Sequence, residues 1–419
     1  MSEARETVVN VDPYSIPLED IDVSNPTLYM TDSHWPYFER LRKEAPVHYC
    51  KSSLFGPYWS VTRFEDIMEV EKNVEVFSSF PTIVIGDQDP EFTVEQFIAL
   101  DPPKHDAQRK AVTAAVSPHS LAQMESLIRS RVAEIMDGLP IGEPFNWVDR
   151  VSIELTTQML ATLFDFPFED RRKLTFWSDM ATSSEEIAGD DSVSAEERQA
   201  ALMGCIEEFT AIWNERAKQS PEGKHDFITL MAHSPSFQNM PPLEFLGNLI
   251  LLIVGGNDTT RNSISGGVVM LNENPSEYAK LKADPTLIPN MVSEIIRFQT
   301  PLMHMRRTAT QDTVLGGQHI KKGDKVVMWY VSANRDDTKI DRPDEFIIDR
   351  PNARNHMSFG FGVHRCMGNR LAEMQLRIVW EEIMQRFERV EMVAPPERLK
   401  SNFVRGITDL QVVLHPKAS

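Results

Sequence analysis

The segment Phe359-Gly360-Phe361-Gly362-Val363-His364-Arg365-Cys366-Met367-Gly368 runs straight into a stretch with helical patterning, Asn369 to Phe387. Glycines at 360, 362 and 368 permit backbone geometries that side chains forbid and let the chain approach a flat ligand closely. Cys366 falls just before the helix N-terminus, where backbone N–H groups and the helix dipole favour a thiolate. A thiolate so placed is prepared to be an axial ligand to iron. The alternative is a buried, inert cysteine in a glycine-rich turn, the reading given to Cys50 and Cys205. The pair Gly360-x-Gly362 is not a dinucleotide-binding fingerprint, because Arg365 stands where its third glycine belongs.

Upstream of this segment the pattern is mostly helical. A helix is predicted over His34–Glu44, stopped by Pro46, then two strands, Val47–Cys50 and Tyr58–Thr62, joined by a loop containing Gly56 and Pro57. Phe80–Asp101 reads as a long loop studded with apolar residues, and such loops are usually functional. Amphipathic helices follow at Ser120–Leu139, Val148–Phe164 and Ala195–Lys218, with the acidic stretch Glu185–Glu197 separating two of them. Leu243–Asn272 reads as one long helix and Pro289–Gln299 as a shorter one. Thr308–Leu315, Val326–Val331 and Leu410–Leu414 read as strands, and Asp336–Gly362 is irregular. No repeat or low-complexity linker divides the chain.

The 419 residues set a soft prior of two or three domains at ~150 residues each, and large single-core enzymes reach the same length. A formal charge of −19 repels phosphate backbones and anionic lipid, which disfavours nucleic acid or a membrane surface as the main partner. Three cysteines without a CxxC pair argue for a reducing compartment rather than a disulfide framework. The N-terminal 25 residues have no apolar signal segment, and the run Leu249–Val254 is far short of the ~20 residues that cross a bilayer. The expectation is a cytoplasmic protein with no stable membrane insertion.

In Leu251-Leu-Ile-Val-Gly255-Gly256-Asn257-Asp258-Thr259-Thr260, two adjacent glycines interrupt an apolar helix, each costing ~1 kcal/mol relative to alanine, and polar residues follow. The breach of a local rule in mid-helix points to a functional distortion. A plain kink with a satisfied buried aspartate is the alternative. Glu294 and Arg297 lie at i and i+3 on one helix face, which in isolation is an ordinary surface pair.

Taken together these stretches resemble the cytochrome P450 family. The cysteine segment matches its Phe-Gly-x-Gly-x-His-x-Cys-x-Gly signature, Glu294-Ile-Ile-Arg297 its Glu-x-x-Arg, and Pro343-Asp-Glu-Phe346 with Arg350 the partner segment of a Glu-Arg-Arg network. Gly255-Gly256-Asn257-Asp258-Thr259 is similar to its oxygen-activating motif. The resemblance spans Trp35 to Leu414 and implies a mainly α fold with small β-sheets. That fold is a triangular prism holding haem b between a long distal helix and a proximal cysteine loop. It implies an N-terminal extension over residues 1–25 and one haem domain over 26–419. It further implies Cys366 as the iron ligand, and His105, Arg109, Arg307 and His364 as propionate partners. In that motif the widened helix makes a groove for dioxygen, Thr259 holds water there, and Asp258 feeds protons inward through a short relay.

The implied activity is insertion of one oxygen atom of O2 into an unactivated C–H bond of a hydrophobic substrate. Electrons would come from a ferredoxin and an NAD(P)H-dependent reductase, with Arg365 and Arg370 offering a local basic patch. Phe97-Ile-Ala-Leu-Asp-Pro-Pro-Lys-His-Asp and Pro301-Leu-Met-His-Met-Arg-Arg look like the bacterial branch that hydroxylates terminal carbons of alkanes and fatty acids. The positions matching the family's pocket are Ile83, Ile85, Phe97, Leu251, Val254, Gly255, Leu302, Met303, Phe403 and Val404, with Leu251 and Leu302 expected to narrow the end near the iron. A terpene or steroid hydroxylase, a peroxide-using peroxygenase and a haem-based sensor are the competing readings; Asp258-Thr259 argues against the last two.

Overall fold

The computed structural model describes residues 11–90, 92–184 and 193–417. Helix α1 is Trp35–Glu44, and the strands β1, Val47–Cys50, and β2, Tyr58–Val61, pair antiparallel with Val47 opposite Val61. A helix that the sequence reading does not single out, α2, Phe64–Lys72, follows. Strand β3, Phe77–Ser78, precedes a long irregular segment that reaches Asp101 with one short turn, Phe97–Ala99.

Six helices then build the body: α3, Lys104–Thr113; α4, Pro118–Asp137; α5, Glu154–Phe164; α6, Arg172–Thr182; α7, Ala195–Arg216; and α8, Pro242–Glu273. Their starts follow from local chemistry. Ser117 caps α4 by accepting from the Ser120 N–H at 3.2 Å with Pro118 in the first turn, and Ser194 caps α7 by accepting from the Glu197 N–H at 3.3 Å while its hydroxyl donates to the Glu197 carboxylate. The expected helix over Val148–Phe164 is divided, Val148–Ile153 being a π-helical turn. The acidic separator at Glu185–Glu197 falls partly outside the described residues.

Helix α9, Ile288–Gln299, leads into β4, His304–Ala309, and β5 is Lys325–Trp329. The five strands form one sheet in the order β1-β2-β5-β4-β3. The strand predicted over Thr308–Leu315 does not exist as one piece. Its second half, Thr313–Leu315, forms a hairpin with Gln318–Ile320 around Gly316 and Gly317, at φ 54° and 78°, a turn that this glycine pair allows. Helix α10, Asn369–Arg386, follows the cysteine segment.

The largest core cluster runs from Phe97 to Leu414 in sequence and surrounds α8. Residues ahead of Asn25 pack against the rest of the chain. Ile21 and Val23 are buried in a cluster with Tyr29, Phe38 and Trp329, and Tyr37 donates its hydroxyl to the Val11 carbonyl at 2.8 Å. No described helix is long and apolar enough to cross a membrane.

Candidate active site

A single cavity lies between α8 and the cysteine segment. Gly255, Gly256 and Thr259 line one side, and Phe359, Gly360, His364, Cys366 and Gly368 the other. The chain reverses around Cys366 through Gly360 and Gly362, at φ 63° and 68°. A Cβ on Gly362 would sit 2.7 Å from the Glu71 carbonyl oxygen, so a glycine is what lets α2 pack against this loop. Cys366 is exposed, and the surface it lines is that of the cavity. Burial among protein atoms pushes its thiol pKa up, opposed by the Gly368 and Asn369 N–H groups at the start of α10 and by Arg109 and Arg365. Cys50 is buried with its thiol pushed up to about 12, and Cys205 is also buried. Neither lines the cavity.

Beside the thiol sits a cationic cluster. Arg109, Arg307 and His364 line the cavity, while His105 is fully buried behind them with its ring 4.2 Å from that of His364. Burial and the facing Arg307, His105 and Arg109 push the His364 pKa down to about 2. Ser79 Oγ is 2.9 Å from His364 Nε2, and Arg307 donates to Glu71 at 2.8 Å. The Tyr330 hydroxyl donates to the other Glu71 oxygen. Glu71, Ser79 and Tyr330 escaped the sequence reading. Their signal is tertiary, since α2 and the Phe77-Ser78-Ser79 segment meet β4 only in the fold.

Three buried atoms of this cluster, His105 Nε2, Arg307 Nε and His364 Nδ1, have no hydrogen-bond partner. Buried polar groups left without partners are costly, and the guanidinium groups of Arg109 and Arg307 on the cavity wall suit a ligand bearing anionic groups.

On the opposite wall α8 runs unbroken from Pro242 to Glu273. The glycine pair does not break the helix, and the two glycines serve different ends. A Cβ on Gly256 would lie 2.8 Å from Leu160 Cδ2, so Gly256 allows α5 and α8 to touch, whereas Gly255 has nothing within 4 Å and opens space to the cavity. Thr259 lines the cavity and donates its hydroxyl to the Gly255 carbonyl at 2.8 Å.

Asp258 and Thr259 do not form the expected short relay by direct contact. Successive helix residues point about 100° apart, and Asp258 is fully buried toward α6. Its carboxylate meets Arg261 at 2.7 Å, Ser178 Oγ at 3.2 Å and Asn257 Nδ2 at 3.3 Å. Arg261 also holds Asp179 at 2.8 Å, whose side chain is 47% exposed, so the polar chain leads outward. Burial raises the Asp258 pKa, with Arg261 opposing. Arg261 was not singled out, although its i+3 spacing from Asp258 is the available signal.

Of the residues expected in the substrate pocket, Ile83, Phe97, Leu251, Val254, Gly255, Leu302 and Phe403 line the cavity. Ile85, Met303 and Val404 do not. Ile85 and Met303 pack into the cluster around Trp329 although Ile83 and Met305, two positions away, line the cavity, and Val404 is buried behind Ile83 and Phe403. Sequence spacing did not reveal Val84, Gln96, Leu163, Thr182 or Phe227, which are among the further lining residues.

Glu294, Arg297 and Arg350 are brought together away from the cavity. Arg297 and Glu294 make a bidentate pair at 2.7 and 2.8 Å, and Arg350 Nε lies 3.0 Å from Glu294. The remaining donors reach the Asn334, Pro343, Arg342 and Glu345 carbonyls. Burial alone would raise the Glu294 pKa, but the two arginines and the Ile347 N–H outweigh it and leave it lowered. The pair is therefore a buried network and not a surface pair.

A mainly helical fold of this topology, with a cysteine loop facing a long helix across an apolar cavity, defines a haem-thiolate protein, and the comparisons agree. The cytochrome P450 family model matches residues 32–414. Linalool 8-monooxygenase of Pseudomonas putida is 36% identical over 96% of this chain and 100% of its own length. The methyl-branched lipid omega-hydroxylase of Mycobacterium tuberculosis is 31% identical over 98% and 99%. Among solved structures, cytochrome P450-153 from Novosphingobium aromaticivorans superposes with a TM-score of 0.87 at 46% identity, covering 94% of this chain and 99% of that one. CYP153D17 from Sphingomonas sp. PAMC 26605 does so with 0.87 at 48%, covering 94% and 98%. The chain belongs to the cytochrome P450 family and is a haem b monooxygenase acting on O2 and a hydrophobic substrate. Arg109, Arg307 and His364 on the cavity wall would suit the two propionates of haem, and Gly368, where a Cβ would meet nothing within 4 Å, leaves open space on that wall.

Proposed function

We propose that this protein hydroxylates the terminal carbon of medium-chain alkanes or fatty acids, with electrons from a ferredoxin and its NAD(P)H-dependent reductase. In this reading residues 26–419 work as one haem domain, residues 11–25 being packed against it, in a cytoplasmic protein. Cys366 would hold the iron, Arg109, Arg307 and His364 would hold the propionates, and His105 would support them from behind. Haem, when bound, would supply the iron centre for reducing dioxygen and inserting one of its oxygen atoms into a C–H bond.

The rest of the task falls to side chains. Thr259 keeps its hydrogen on the Gly255 carbonyl, so its lone pairs face the cavity and accept from a water or a protonated oxygen there. Asp258 and Arg261 form a charged lead toward Asp179 at the surface, along which protons travel inward. Because the Asp258 and Thr259 side chains do not touch, water completes the path between them.

The observation that carries the substrate reading is the lining. A primary C–H bond is stronger than its secondary neighbours, so only orientation can select it. Leu251, Val254 and Leu302 stand near Gly255 and Thr259 on an apolar wall that suits a narrow chain. Likeness to a methyl-branched lipid omega-hydroxylase supports terminal attack. A second reading, a terpene hydroxylase, is favoured by the greater identity to linalool 8-monooxygenase. The exposed Arg365 and Arg370 beside Cys366, with the exposed Phe361 and Val363, suit an acidic ferredoxin.

Product analysis tests the reading. With n-alkanes and fatty acids the expected main product is the primary alcohol, and Leu302→Ala or Leu302→Phe shifts the terminal to subterminal ratio by about tenfold, or ~1.4 kcal/mol. An unchanged ratio, or turnover confined to terpenes, overturns it.

A further inference from the structure

His304, on β4, is buried completely and touches neither the cationic cluster nor the cavity. Its two ring nitrogens join two separate segments. Nε2 is 3.1 Å from the Ile85 N–H, in the long loop after β3, and Nδ1 is 2.9 Å from the Asn402 carbonyl, in the C-terminal turn. An N–H can only donate and a carbonyl can only accept, so the two partners select one species, the neutral ring with its hydrogen on Nδ1. Burial pushes the pKa to about 4, which keeps the ring neutral.

The residues beside both anchors are cavity walls. Ile83 and Val84 precede Ile85, and Phe403 follows Asn402 with its ring 5.3 Å from the imidazole in edge-on contact. Backbone bonds fix only part of this arrangement. Arg306 N–H reaches the Ile83 carbonyl at 2.7 Å and Met303 N–H the Phe403 carbonyl at 2.8 Å, so the loop and the turn are each tied to β4 but not to each other. Past Ile83 the Arg306 guanidinium takes the Ile85 and Gly86 carbonyls at 3.3 and 3.0 Å, and the imidazole supplies the acceptor for the Ile85 N–H.

We infer that His304 is a specificity-determining positioning residue, whose imidazole spans the Ile85 loop and the Asn402 turn and thereby sets the spacing of Ile83, Val84 and Phe403 across the cavity. The inference rests on this cavity being the substrate site. It differs from the wall residues in acting without substrate contact.

The test uses the haem-loaded enzyme with n-octane. In His304→Leu both bonds are lost, so amide exchange over residues 82–87 and 402–404 is expected to rise about tenfold, and the terminal fraction of the alcohol to fall about threefold. The thiolate-type carbon-monoxide spectrum stays unchanged. His304→Gln retains one donor and one acceptor and restores most of both losses. If His304→Leu yields no holoenzyme, His304→Asn, too short to reach both partners, is read in the same way. Unchanged exchange in the variant, or faster exchange with an unchanged product ratio, overturns the inference. Leu302→Phe separates the two failures. If it changes the ratio while His304→Leu does not, only the role of His304 is lost, and if neither does, the substrate cavity itself is misassigned.

Discussion

Two charged clusters flank the cysteine loop, and they differ in how their hydrogen bonds are completed. Around Glu294 both carboxylate oxygens and most of the guanidinium donors of Arg297 and Arg350 are engaged by side chains or carbonyls. Around His364 three buried nitrogens are left without partners. A cluster that closes on itself is architecture, and one whose guanidinium groups line a cavity is a binding site. Composition alone does not separate them, since each is rich in arginine.

The largest expected effect lies in the closed cluster. Glu294→Gln leaves two buried guanidinium groups uncompensated, so denaturant unfolding should show a loss of about 3–5 kcal/mol or no holoenzyme should accumulate. A loss below ~1 kcal/mol would place Glu294 among ordinary surface pairs. The open cluster should respond differently. Arg109→Ala and His364→Phe should leave folding stability nearly intact while haem transfer to excess apomyoglobin accelerates by about tenfold, equivalent to ~1.4 kcal/mol of lost contacts. Equal haem retention would break the contrast.

Two smaller effects sharpen it. Thr259→Ala should hold NADH consumption within about twofold while product per NADH falls about tenfold, and tight coupling in that variant would refute its assigned task. The folded pKa of Glu294 lies below its ordinary value. Its stabilisation is therefore full above the unfolded value of about 4.3 and drains as pH falls through the lower folded one. Wild-type unfolding followed from pH 6 to 3 should show this acid slope, and Glu294→Gln should flatten it.

The cysteine segment and the long helix were legible because their residues sit close together in sequence and break local rules there. What the sequence hid is what depends on neighbours. The glycine pair at 255 and 256 reads as one distortion, yet contact with Leu160 gives Gly256 a packing task and leaves Gly255 to the cavity. Adjacency of Asp258 and Thr259 in sequence became separation on the helix, with Arg261 as the true partner of the acid. Ile85 and Met303 lie on the expected segments but pack around Trp329, although Ile83 and Met305, two positions away, line the cavity, so side-chain alternation does not foretell their place. Glu71 belongs to a helix that the reading passed over, and only the fold brings it to Arg307.

The carbon-monoxide difference spectrum of the dithionite-reduced protein tests the central claim, that Cys366 holds the iron. The expected result is the red-shifted Soret band of thiolate ligation in the wild type and its loss in Cys366→Ser. A histidine-type band in the wild type, or a thiolate band surviving in Cys366→Ser, would contradict it.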